Sequence, residues 1–266
     1  MKYLVSNPRS SSAAVSEMRL KLDSFYATTT DYSAFEETPD QTVWFALVLP
    51  YMRDLIRNRS RIRVLEIGAG RSGFTHVLGE DRGCVEYHVQ DVTATNSEYL
   101  QNVADRVWIG DLSDVNQTFD LIFHTFVFEH VATPSEFLEK VDSLLSPGGI
   151  HIVICPRYDV PGYICPSVRH LSGSQRMLHT LQLTASRMLA RMDRRPRFLV
   201  NIEPAVFHVP WYRDSDAVHL VSRFDIERWH SSMGYKVERL RSRVGSLREW
   251  VFYRQLICMV ACQKNA

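Results

Sequence analysis

The chain has no run of about twenty apolar residues, the length a membrane-spanning helix requires. Its most apolar early window, residues 43–52, is about half that length and contains Pro50, so it reads as a core helix. Net charge is nearly absent: 31 basic and 30 acidic side chains leave +1, so no global field favours a polyanionic partner, and nucleic acid is not expected. Cysteine is sparse. Cys84, Cys155, Cys165, Cys258 and Cys262 include no C-x-x-C pair, and an odd set without metal-ligand spacing fits buried thiols in a reducing compartment, with neither a disulfide nor a metal site expected. The apolar stretch after Lys2 is too short for a signal-peptide core. These absences point to a cytoplasmic chain without stable membrane insertion. No internal repeat or low-complexity tract is present.

At 266 residues and 45% hydrophobic, the chain suits one large α/β domain. Residues 1–15, rich in Ser, Asn and Ala, are expected to form a mobile arm, followed by helices over 16–26 and 41–58. From there strands and helices alternate: strand 63–67, helix 73–78, strand 85–89, helix 97–103, strand 106–109, strand 119–125, helix 134–145, strand 150–155. This is the rhythm of a doubly wound parallel sheet with helices on both faces. Between 157 and 220 the rhythm fails and Pro recurs, with a helical stretch near 174–192; this segment reads as an insertion or lid after strand five. Helix 224–233, strand 235–240 and a last strand near 250–262 complete the pattern. The organisation expected is a single domain: a helical N-terminal extension (1–60), a core (61–156), the insertion (157–220) and C-terminal strands (221–266).

The first strand of the core runs into Val64-Leu65-Glu66-Ile67-Gly68-Ala69-Gly70-Arg71-Ser72-Gly73-Phe74, where glycines let the backbone approach a ligand and a helix N-terminus opens toward it. Gly68, Gly70 and Gly73 also satisfy G-x-G-x-x-G, and Asp91 stands about where a dinucleotide enzyme places its ribose acid, so a nicotinamide oxidoreductase is an open alternative. Three features favour another nucleoside. Glu66, two residues before the first glycine, suits an ammonium group and would repel a pyrophosphate. Asp111, after the third strand, can accept from an adenine amino group. About sixty residues precede the glycine loop, whereas many dinucleotide folds begin with that strand.

Six segments in this order and spacing, the glycine loop, Val89-Gln90-Asp91, Gly110-Asp111-Leu112, Phe119-Asp120-Leu121-Ile122, Phe128-Glu129-His130-Val131 and Leu145-Ser146-Pro147-Gly148-Gly149, resemble the class I S-adenosylmethionine-dependent methyltransferases. Within that class the likeness is to small-molecule enzymes of the ubiquinone O-methyltransferase type, over residues 62–156 and more weakly in the tail around Met233-Gly234-Tyr235. The resemblance implies a Rossmann-like, doubly wound, seven-stranded sheet, mostly parallel, with its last strand antiparallel. It implies S-adenosyl-L-methionine as cofactor and S-adenosyl-L-homocysteine as product. Glu66, Gly68, Ala69 and Gly70 would border the methionine part, Asp91 with Val92 the ribose, Asp111 with Leu112 the adenine, and His124 with Thr125 the sulfonium. Ser72 departs from the family, which often has a third glycine there. The Pro-Pro-aromatic motif of enzymes that methylate exocyclic amines is absent; the corresponding place reads Thr125-Phe126-Val127-Phe128.

Transfer to an alcohol needs help with a proton, and histidine is the usual base. His130, after strand four, and His219, before the helix leading to strand six, are the catalytic candidates; in this family the Glu-His pair also serves architecture. His170 and His208 lie in the insertion, while His76, His88, His151 and His230 fit packing or solvent contact. Asp120 is expected to pair structurally. The insertion carries Arg157, Arg169, Arg176, Arg187, Arg191, Arg194, Arg195 and Arg197 against Asp159 and Asp193, which suits either an anionic or membrane-associated acceptor or a solvated helix face. Tyr158, Tyr163 and Trp211-Tyr212 can stack on a ring or pack in the core, and Tyr32, Phe35 and Trp44 can close over the cofactor or pack on the sheet edge. The reading is methyl transfer to a small-molecule acceptor, a hydroxyl of a sugar, polyketide or other secondary metabolite first. The alternatives are an amine or carbon acceptor, a non-catalytic nucleoside-binding subunit and the oxidoreductase.

Overall fold

The computed structural model describes residues 4–28, 41–160, 162–242 and 245–266. A seven-stranded sheet forms the centre, built from β2 (Ile62–Ile67), β3 (Val85–Asp91), β4 (Arg106–Ile109), β5 (Phe119–Thr125), β6 (Leu145–Pro156), β8 (Lys236–Arg239) and β9 (Ile257–Gln263), in the order β4-β3-β2-β5-β6-β9-β8. Every pairing from β4 through β6 is parallel, and β9 is antiparallel to both neighbours. The central strands are apolar and buried on both faces, whereas β4 and β8 are four-residue edges with exposed ends. This is the Rossmann-like order the alternation led us to expect.

Two apolar layers sandwich the sheet. On one face α2 (Gln41–Arg59) buries Trp44, Phe45, Val48, Met52 and Leu55 against β2, β3 and β5, and α3 (Phe74–Leu78) joins them. Residues 43–52 are thus core helix, and among the described residues no helix is long and apolar enough to cross a membrane. On the other face α5 (Pro134–Leu144) and α7 (Arg223–Ser232) bury Leu138, Val141, Ile226 and Trp229. The short α4 (Ser97–Val103) links β3 to β4. Asp120 ties the sheet's lower edge, accepting from the Arg63 N–H at 2.8 Å and pairing with Arg59.

Three local expectations are corrected: β6 begins at Leu145, five residues before the strand expected at 150–155, and both ends of the chain differ. Residues 4–15 are not a free arm: β1 (Leu4–Ser6) pairs antiparallel with β7 (Leu199–Asn201) in the insertion, and Arg9 donates to both carboxylate oxygens of Glu139 at 2.8 Å. A three-residue strand is too short to show periodicity in sequence. The helix after it, α1 (Ala13–Thr28), is also longer than expected. The final strand starts at Ile257, not near Trp250, because Ser246 caps a helical turn, α8 (Leu247–Val251), by accepting from Glu249 N–H at 3.2 Å. The insertion supplies α6 (Gly173–Asp193).

Candidate active site

At the end of β2 the chain turns through Gly68 (φ +64°) and Gly70 (φ +54°), a conformation glycine adopts at no steric cost. A Cβ on Gly68 would sit 2.4 Å from Cγ2 of Val127, so the segment after β5 closes directly onto the loop. The Gly68 and Ala69 N–H groups donate to Gln90 O at 2.7 and 3.2 Å. Asp91, at the end of β3, accepts from Gly70 N–H at 2.7 Å and Thr93 N–H at 3.1 Å, one on each oxygen. Burial raises its pKa, and the N–H donors of Thr93, Gly70 and Val92 work against that rise. Gln90 Nε2 donates to Gly110 O at 2.7 Å and Gly110 N–H to Asp91 O at 2.9 Å, which fixes the ends of β3 and β4 side by side.

Glu66 is fully buried and accepts from Ser72 Oγ at 2.7 Å and from Tyr87 OH at 2.5 Å. Burial pushes its carboxyl up to about 7, against the lowering effect of those two donors. Ser72, the departure from the family pattern, thereby acquires a use: its Oγ also accepts Phe74 N–H at 3.1 Å, holding the first turn of α3. Tyr99 OH donates to Ser72 O at 2.9 Å from α4.

Asp111 caps the turn after β4, accepting from Ser113 N–H at 2.8 Å, and its other oxygen meets Arg19 of α1 at 2.9 Å. Partial burial works to raise this acid, but Ser113 and then Arg19 hold it below the ordinary range. Leu112 is buried beside it and Val92 is exposed. Thr125 ends β5, half-buried. The His124 side chain points elsewhere: its ring is buried against Phe128, Phe137 and His151 on the α5 face of the sheet, and burial drives it down to about 3. Only its backbone is available to the loop side.

His130 and His219 differ sharply. His219 is wholly buried, its Nδ1 3.0 Å from Phe128 O and its ring edge-on to Phe128 and Phe198; burial pushes it down to about 3, so it is a neutral core histidine. His130 is 28% exposed, with Nδ1 3.2 Å from Asp216 Oδ2. Tyr26 OH of α1 donates to the same Asp216 oxygen at 2.6 Å. Burial disfavours the imidazolium, but the Asp216 carboxylate, with Glu129 and Asp214, overcomes this and raises His130 to about 10. Reciprocally, despite burial, His130 and Tyr26 bring Asp216 down to about 2. The pair is therefore ionised at neutral pH, leaving Nε2 as the nitrogen available to a ligand. Glu129, next in line, is buried, pushed by burial up to about 8, and neither carboxylate oxygen has a partner among the described residues. His170 and His208 stack on each other at 4.8 Å.

Sequence reading did not find Tyr87, Tyr26, Asp216 or Val127, because each reaches the site from a different element. Of the aromatic candidates, Tyr158 and Tyr163 stack together at 5.6 Å, and Trp44 packs under Phe126, itself at φ +57°. Tyr32 and Phe35 lie outside the described residues.

Residues 65–151 match the family described as methyltransferase domain. A ubiquinone biosynthesis O-methyltransferase of Mesorhizobium japonicum is 30% identical over 129 residues, 40% of this chain and 49% of the relative; the chain thus spans about half the length of the curated relative it matches. Among solved structures, the plantazolicin methyltransferase BpumL in complex with a triazolic desmethyl analogue and SAH superposes with a TM-score of 0.56 at 11% identity, covering 95% of this chain and 98% of that one. The CurJ carbon methyltransferase gives 0.52 at 19%, covering 92% and 59%. The chain thus shares the Rossmann-like fold of these structures, and its residues 65–151 resemble a methyltransferase domain.

Proposed function

We propose that the chain is an S-adenosylmethionine-dependent methyltransferase that modifies a hydroxyl of a small molecule. The observation carrying this reading is the placement at the C-terminal ends of β2, β3 and β5 of a left-handed glycine turn, a ribose-suited carboxylate and an ion-paired histidine on the following loop. The residues fit the cofactor: Gly68 and Gly70 allow close approach, Asp91 is a carboxylate held at the end of β3 where ribose hydroxyls would reach it, and Glu66 is a buried carboxyl whose ionised form an ammonium group would stabilise. Asp111 and Leu112 border the expected adenine. When bound, S-adenosylmethionine supplies an electrophilic methyl on a cationic sulfur.

The chain's own part is to hold the acceptor in line. Asp216, itself held by Tyr26, pairs with the His130 ring. In its cationic state His130 takes no proton; its Nε2 would donate to the oxygen of an acceptor that has already lost its proton to solvent and stabilise the negative charge there, which suits a phenol or enol better than a sugar alcohol. A carbon acceptor is the second reading, because His130 held protonated would equally stabilise an enolate oxygen while its carbon attacks.

The test incubates the protein with methyl-labelled S-adenosylmethionine and a panel of phenols, enols, sugars and amines, locating the label by NMR. A methyl ether, formed at least about 100-fold more slowly by His130→Asn while S-adenosylhomocysteine still binds, is the expected result. Label on carbon selects the second reading. Cofactor binding without turnover across the panel would instead describe a nucleoside-binding subunit.

A further inference from the structure

Helix α6 is fastened on one side only. It starts with a capping box between Ser172 and Gln175 and buries His179, Arg187 and Ala190. Arg187 pairs with Asp225 and also donates to Leu220 O, so the inner face is fixed. That face, with Leu183 and Thr184, covers a cavity of about 90 Å³ shared with Tyr158 and Tyr163. The outer face is apolar and bare: Met177, Leu178, Leu181, Met188, Leu189 and Met192 are 47–77% exposed. At 100° per residue these six fall within one third of the helix circumference, a stripe about 22 Å long.

Charge around the stripe has one sign. Asp193 is the single acid of α6, and Arg197 occupies it at 2.6 Å. Arg191 follows one flank of the stripe, Arg194 and Arg195 stand at its C-terminal end, and none of the three forms a salt bridge among the described residues. A second copy of the chain packed on α6, in either direction, would set these arginines against one another with no acid on the helix left to meet them. A neutral apolar partner would leave them unpaired. An anionic lipid surface meets both halves of the pattern, taking the Met and Leu side chains into the acyl boundary while the arginines reach back to phosphates. Flexible thioethers suit such an irregular, fluid contact.

We propose that the outer face of α6 is a docking surface for an anionic lipid bilayer. The contact is peripheral, and it stands independently of the acceptor assigned above. The test is flotation of the whole protein with vesicles of phosphatidylcholine alone and of phosphatidylcholine containing about one phosphatidylglycerol in three lipids. The expected result is at least about tenfold stronger partition onto the anionic vesicles, weakened by salt. Leu181→Glu with Met188→Glu, and separately Arg191→Ala with Arg195→Ala, should each abolish that partition while thermal melting and S-adenosylhomocysteine binding stay as in the parent. Leu20→Glu, an exposed site on α1, should change nothing. Failure to bind either vesicle overturns the proposal and gives the face to an acidic protein partner. Binding that both α6 variants retain overturns it as well, as does a dimer by sedimentation that the Leu181/Met188 variant dissolves without any vesicle binding.

Discussion

Ser72 Oγ donates to Glu66 Oε2 at 2.7 Å, and the same carboxylate oxygen accepts Tyr87 OH at 2.5 Å. The small polar residue that stands in place of a glycine is thus part of how the loop is held, bridging the end of β2 to the start of α3 through Phe74 N–H. Losing either donor leaves a buried acceptor less well satisfied.

Tyr87→Phe should therefore destabilise the protein by about 1–3 kcal/mol, the cost of an unmet buried hydrogen bond, and Ser72→Gly by about 1 kcal/mol. Urea unfolding of the two variants against the parent measures both.

Glu66 ionises near 7 in the fold against 4.5 for an unperturbed glutamate. The folded state keeps the extra proton between those values, so this group's contribution to stability declines as pH rises through that window. Glu66→Gln should remove the decline, which is at most about 3 kcal/mol; denaturation midpoints from pH 5 to pH 8 read it. With the ammonium of the donor beside Glu66, S-adenosylhomocysteine affinity should rise as pH increases through 7, and the variant should be flat.

Within the His130–Asp216 pair the two partners have signs opposite to each other. His130 at about 10 contributes stability that is full below 6.5 and lost as pH rises through 10; Asp216 at about 2 contributes above 3.8 and loses it as pH falls through 2. Asp216→Asn should cost about 3 kcal/mol at neutral pH and bring the His130 imidazole, followed by NMR, down from about 10 toward the ordinary histidine range. A His130 resonance that titrates normally in the parent would contradict the ion pair.

His124 and His219 at about 3 and His230 at about 4 are neutral core groups because burial penalises their cations. Their contribution is present above 6.5 and falls by about 1.4 kcal/mol per histidine for each pH unit below it. His219→Phe should move the acid-unfolding midpoint to lower pH, which a circular dichroism titration would register.

The sheet was legible because its strands are continuous apolar runs ending in glycine or acid, and most lay within a residue or two of their expected bounds; β6 begins at Leu145 where a strand was expected only from 150, and the last strand begins late. The glycine loop, Asp91 and Asp111 were legible for the same reason: local spacing alone carries them to adjacent strand ends. The histidines were not, since His130 gains its charge chiefly from Asp216 in the insertion, a partner far away in chain, while His219, three residues beyond Asp216, sits inside the core. Side-chain direction also escaped: His124 is next to the end of the right strand but alternation turns its ring to the opposite face. The three-residue β1 and the turn at Ser246 were hidden by length, too short for any period to show.

The central claim, that the glycine loop and Asp91 receive S-adenosylmethionine, is tested most directly by calorimetric titration of the protein with S-adenosylmethionine, S-adenosylhomocysteine and NAD, alongside Asp91→Ala. Micromolar binding of the first two, lost in the variant, is the predicted result. Silence toward both, with clear binding of NAD, would contradict it.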